Sequence, residues 1–105
     1  MRGNLCYSAL LAVVLAGNAA WAANPEAGKT TATGVCAGCH GPKGLSATGM
    51  FPNLAGQKEE YLAKQLKAFR EKTRVEPTMN GLAASLKDED IANLAAYFAG
   101  LKPCE

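Results

Sequence analysis

Cys36-Ala37-Gly38-Cys39-His40 is the stretch on which the reading of this chain turns. Two thiols three residues apart, followed directly by an imidazole, form the attachment signature of a c-type haem. The spacing has a chemical reason. Thiols at i and i+3 lie on one side of a helical turn, so both can add to the two vinyl groups along one porphyrin edge. The next side chain then turns towards the ring, where His40 can ligate the iron from one face. Two other chemistries use such a pair: a thioredoxin-like dithiol and half of a zinc site. Zinc needs further Cys or His at a suitable spacing, but His40 is the only histidine and no second Cys pair exists. A dithiol enzyme needs a βαβ pattern around the motif, and none is legible.

The start of the chain agrees with export. Arg2 supplies a positive n-region, Ala9 to Ala16 an apolar run, and Ala20-Trp21-Ala22 a small-x-small cleavage pattern. Residues 1–22 therefore read as a secretory signal peptide, with cleavage expected after Ala22 and Ala23 as runner-up. The apolar run is short for a membrane span, failed cleavage leaving an anchor is the alternative, and no stable insertion is expected once the leader is removed. Cys6 lies before that run and is expected to leave with it, as is Trp21.

Residues 23–105 then form one small domain of about 83 residues. Removal of Arg2 leaves ten Lys and Arg against nine Asp and Glu, a charge of about +1 that gives no reason to expect a nucleic-acid partner. Asn24-Pro25-Glu26 is a good helix start, and that helix is expected to run from Pro25 to about Cys36 and deliver the motif at its end. Between Gly41 and Gly56, four Gly and two Pro predict a loop. From Gln57 to about Lys72, Tyr61, Leu62, Leu66 and Phe69 recur at helical spacing. Thr73 to Met79, broken by Pro77, reads as irregular. In the last helix Ile91, Leu94, Ala95 and Phe98 repeat at i, i+3, i+4 and i+7 behind the acids Asp88, Glu89 and Asp90, with Gly100 at its C-cap. Nothing reads as a strand. The expected fold is all-α, with three main helices and long loops wrapped around one covalent haem.

Three blocks carry a resemblance to the class I cytochromes c of the small single-haem bacterial type, across nearly all of the chain after the leader. They are Cys-Ala-Gly-Cys-His-Gly at 36–41, Phe-Pro-Asn-Leu-Ala-Gly-Gln at 51–57 with Tyr61 and Gln65-Leu66, and Met79 followed by Leu86 to Ile91 and Ala95 to Phe98. The resemblance implies that Pro52 offers its carbonyl to His40 Nδ1–H, leaving Nε2 for iron, and that Gly28 lies where the first helix crosses the last, near Tyr97. The sequence departs from the family's pattern at Ala32, where a larger residue is common. It departs again at Lys87, where a Ser or Thr N-cap is usual and Ser85 is the substitute at hand.

A sixth iron ligand has two internal candidates, Met50 and Met79, since there is no second histidine. Met79 lies 39 residues beyond His40, just before the last helix, where the family places its ligand; Met50 is only ten residues on, in a loop the family puts on the proximal side. Met79 is the expected ligand. His/Met ligation closes the site and raises the potential, which suits electron transfer. The expected site is thus haem c held by Cys36 and Cys39, with iron between His40 and Met79.

The expected function is a periplasmic carrier of one electron between larger redox proteins that dock transiently. It is not read as an enzyme in its own right. The alternatives are a haem sensor or peroxidase-like protein with an open sixth site, and a dedicated cytochrome subunit of an oxidase or dehydrogenase complex. The basic residues Lys58, Lys64, Lys67, Arg70, Lys72 and Arg74, interleaved with acids, read as a solvated helix face. Phe51, Tyr61, Phe69, Tyr97 and Phe98 are expected to pack around the haem and between helices. Cys104 is the odd thiol, read as an exposed terminal thiol on a monomer, with a disulfide dimer as the alternative.

Overall fold

Asn24 starts the first helix as its sequence suggests: its Oδ1 accepts from the Glu26 and Ala27 amides at 3.0 and 3.2 Å, with Pro25 at the first helical position. The computed structural model describes residues 22–104, so the expected leader, with Cys6 and Trp21, lies outside the described residues except for Ala22. The first helix, α1, spans Pro25–Thr31 and continues as a π-helical segment over Ala32–Cys36 and a short helix α2 over Ala37–His40. The expected end near Cys36 is therefore extended to His40, so that the whole attachment motif is helical. The widened turn has a local cause. Thr30, Thr31, Thr33, Gly34 and Val35 are weak helix formers, and Thr33 Oγ1 bonds back to the Lys29 carbonyl at 2.8 Å. The Ala37 amide then bonds to the Ala32 carbonyl, five residues back.

Helix α3 spans Glu59–Arg70, α4 Pro77–Ala83 and α5 Asp88–Ala99. Helix α1 packs on α5, α5 on α3, and α3 on α4. No strand occurs among the described residues. The expected apolar stripe of α5 is the centre of the molecule: Ile91, Leu94, Ala95 and Phe98 are all buried, and Leu62 of α3 and Ala32 join Leu94, Ala95 and Phe98 in one core cluster. Each large side chain so buried contributes roughly 1.5–3 kcal/mol. Gly28 lets α1 and α5 approach, since a Cβ there would lie 2.1 Å from the Asn93 carbonyl oxygen and 3.0 Å from Tyr97 Cβ. The crossing near Tyr97 is where the resemblance puts it.

Helix α4 was not expected. The stretch from Thr73 to Met79 reads as irregular in sequence, but the chain turns helical at Pro77, which takes the first helical position behind Glu76 as N-cap. At the start of α5, Ser85 is not the cap. Lys87 holds that position, and the Asp90 carboxylate reaches back to accept from the Lys87 amide at 2.9 Å.

Candidate functional site

The helical rod α1–π–α2 presents Cys36, Cys39 and His40 in succession, and Gly41 reverses the chain immediately after them. Gly41 has φ 86° and ψ 153°, a conformation essentially restricted to glycine. The loop so started closes on itself: the Leu54 and Ala55 amides both donate to the Gly44 carbonyl, at 2.8 and 3.0 Å, and the Gly56 amide donates to Phe98 of α5 at 2.9 Å. This closure returns Pro52 to the motif. His40 Nδ1 lies 2.8 Å from the Pro52 carbonyl oxygen. A carbonyl only accepts, so Nδ1 is the donor, and Nε2 is the nitrogen left to act as a ligand. His40 is 7 % exposed, and the Phe51 ring stands edge-on to it at 6.4 Å.

Cys36 and Cys39 are half-buried and not bridged to each other. Burial pushes the Cys36 thiol up, which keeps it protonated, the reverse of what an attacking thiolate of a dithiol enzyme needs. Among the described residues no three His, Cys, Asp or Glu side chains gather to hold a bare metal ion. Two thiols for covalent attachment and one imidazole held through Nδ1 fit a group that brings most of its own ligands. That is a haem c, and these residues fit it.

Met79 is half-buried at the third position of α4, where its amide donates to Glu76 Oε2 at 2.8 Å. Met50 is 83 % exposed in the loop on the His40 side. The aromatic expectations divide. Phe69 and Phe98 are buried, and Tyr97 stacks at a tilt on Phe98 at 5.1 Å, whereas Tyr61 keeps 48 % of its surface exposed and Phe51 36 %. The basic face of α3 is less uniformly solvated than its sequence suggests. Arg70 donates to the Leu86 carbonyl at 3.1 Å and pairs with Asp88 at 2.8 Å, while Arg74 lies over the Phe69 ring at 4.5 Å and donates to Gln65 at 2.8 Å. Cys104 is an exposed free thiol.

Sequence reasoning passed over Glu76 and Asn80 and read Arg70 only as surface charge, yet these three side chains hold α4. Only Glu76-Pro77 left a usable signal, since it repeats the cap-then-proline order of Asn24-Pro25.

The Cytochrome c family pattern matches residues 25–102. Cytochrome c4 of Pseudomonas aeruginosa is 44 % identical over 98 residues, covering 93 % of this chain and 48 % of that protein. The thiosulfate dehydrogenase electron acceptor of Thiomonas intermedia is 38 % identical over 105 residues, covering 98 % of this chain and 46 % of its own length. Among solved structures, cytochrome c4 of Acidithiobacillus ferrooxidans superposes with a TM-score of 0.69 at 35 % identity, over 73 % of this chain and 49 % of that one. The chain thus spans about half the length of these relatives.

Proposed function

This chain belongs to the cytochrome c family, whose members carry covalently bound haem c, and on that premise we propose that it is a carrier of single electrons between larger redox proteins. Haem c supplies an iron that passes between the ferric and ferrous states. The chain's own residues do the rest. Cys36 and Cys39 would tether the group through thioethers, His40 would offer Nε2 to its iron, and Met79 would offer its thioether sulfur. A ligand pair that stays in place in both oxidation states keeps reorganisation small, and a methionine in that pair favours a raised potential.

The observation that carries this reading is the 2.8 Å bond from His40 Nδ1 to the Pro52 carbonyl. It fixes the orientation of the ring and makes the free nitrogen a better donor. The choice of a carrier over a catalyst draws on the sequence: its one histidine is taken up here, which leaves no second imidazole for acid–base work. The leader pattern over residues 1–22 supports a periplasmic site of action. The similarity to thiosulfate dehydrogenase electron acceptors supports an oxidoreductase as the donor.

Ferric and ferrous spectra of the exported, haem-loaded wild type and of Met79→Ala test the ligand assignment. A low-spin spectrum with a weak far-red Met-to-ferric-iron band, lost in the variant, is the expected result. A band that survives in Met79→Ala makes Met50 the ligand. A wild type without the band, in which the ferrous protein takes up carbon monoxide promptly, makes the sixth site open and overturns the carrier reading.

A further inference from the structure

Helix α4 has seven residues, well below the length at which a helix is stable on its own, and Thr78, Asn80 and Gly81 are weak formers. What holds Met79 in place must come from outside the helix. Two groups of bonds do so. At the N-terminal end the Asn80 side chain uses both its donors and its acceptor. Its Nδ2 donates to the Phe69 and Arg74 carbonyls, each at 2.8 Å, and its Oδ1 accepts from the Glu76 amide at 2.9 Å. Two carbonyls on one side and an amide on the other allow only one orientation of the side-chain amide. At the other end Arg70 donates to the Leu86 carbonyl at 3.1 Å, just beyond α4.

The anchor points, Phe69 at the end of α3 and Arg74 just beyond it, are themselves firm. Lys72, at φ 61°, closes α3 with its amide on Phe69 at 3.2 Å and the Thr73 amide on Ala68 at 3.0 Å. Arg74 is held by its own side chain to Gln65 and the Phe69 ring. Met79 thus has its amide on Glu76 and, as its next neighbour, a residue with three side-chain bonds. A methionine side chain is long and flexible, so the place of its sulfur depends on how firmly its backbone is held.

We infer that Asn80 is a positioning residue for the iron site: by clamping the start of α4 to the end of α3 it sets how readily Met79 leaves the iron. The inference rests on Met79 being the ligand. Asn80 acts through Met79 and does not touch the haem.

The test is an imidazole titration of the ferric, haem-loaded protein, following loss of the far-red band, for wild type, Asn80→Ala, Asn80→Asp and Asn80→Ser. Asn80→Asp keeps the shape but turns an oxygen towards the Phe69 and Arg74 carbonyls, and Asn80→Ser provides a milder variant should either of the others fail to fold. The expected result is displacement of Met79 at about ten- to hundredfold lower imidazole in Asn80→Ala and Asn80→Asp, the range that loss of one to two net hydrogen bonds gives. Asn80→Ser is expected to fall between them and wild type. Gly28→Ala, on the far crossing of α1 and α5, is expected to lower the denaturation midpoint while leaving the imidazole midpoint in place. Equal imidazole midpoints in wild type and the Asn80 variants overturn the inference, as does an equal shift in Gly28→Ala, which would make the effect one of general softening. Met79→Ala separates the two levels: if it keeps the band, the ligand assignment fails, whatever the Asn80 variants do.

Discussion

Replacing Gly41 by alanine tests whether the turn after the motif holds the imidazole. At φ 86° and ψ 153° any L side chain is strained, and a Cβ would lie 2.0 Å from the Leu45 carbonyl oxygen and 2.8 Å from its carbon. Relief requires the Leu45 peptide to move by more than 1 Å, or roughly a third of a contact distance, or Gly41 to leave its conformation. Neither is free to happen. The Gly41 amide bonds to Ala37 at 3.0 Å and its carbonyl accepts from Gly44 at 3.1 Å, while the Ser46 amide beyond Leu45 donates to Asn53 at 2.7 Å. The backbone conformation costs about 1–3 kcal/mol and the overpacking about 1–3 more, so Gly41→Ala is expected to lose about 2–6 kcal/mol. That is a large share of the roughly 5–15 kcal/mol that holds a small domain together. Gly38, one turn earlier in α2, has nothing within 4 Å of an added Cβ, so Gly38→Ala is expected to be neutral or stabilising by about 0.5–1 kcal/mol. Guanidinium unfolding of the haem-loaded proteins, read by far-ultraviolet circular dichroism, measures both. A loss below about 1 kcal/mol in Gly41→Ala, or equal losses in the two variants, would refute the account.

Two further outcomes follow from the packing of α5. Gly28→Ala forces α1 away from α5, because the added Cβ meets the Asn93 backbone at 2.1 Å; a loss of about 3 kcal/mol is expected in the same unfolding assay, at the upper end for overpacking. The Arg70 hydrogen bond, and then its charge, hold the Asp88 carboxyl below its usual value. A depressed folded-state value means that the stabilisation is present above the unfolded carboxylate value, about 3.9, and is lost as pH falls through the lower folded one. Comparing denaturation midpoints of wild type and Asp88→Asn across this range should therefore show wild type ahead at neutral pH and the gap closing in acid. A gap independent of pH counts against the pairing.

The parts legible in the sequence are those whose signals are local. The stripe Ile91, Leu94, Ala95 and Phe98 is buried as its spacing requires, and Asn24 caps α1 with the proline behind it. The attachment motif reads from five consecutive residues. What escaped reading depends on partners far along the chain. The α4 segment has no apolar period, and its N-cap is a glutamate, outside the usual set of capping residues. Its ties run from Asn80 to Phe69 and from Arg70 to Leu86, 11 and 16 residues apart, and no window of sequence shows them. The π turn escaped for a different reason: weak formers such as Thr31, Thr33 and Gly34 predict a poor helix, not which way it relaxes. Arg70 and Arg74 read as surface charge because composition does not distinguish a solvated guanidinium from one bonded to a neighbouring carbonyl or lying on a ring.

The two sides of the proposed iron site are therefore held in different ways. On the His40 side the restraint is a closed loop between the motif and Pro52, with positive-φ glycines at 41 and 44 and a carbonyl as the final contact. Backbone geometry sets it, and few side chains could be exchanged to tune it. On the Met79 side the restraint is a set of side-chain bonds from Glu76, Asn80 and Arg70 onto a short helix. Each can be weakened by one substitution without rebuilding the fold. A local opening that releases a ligand should then begin at α4, where each bond contributes about 1 kcal/mol, rather than at the loop that holds His40. In the proposed carrier this asymmetry would have a functional consequence: Met79 would be the adjustable ligand and His40 the fixed one.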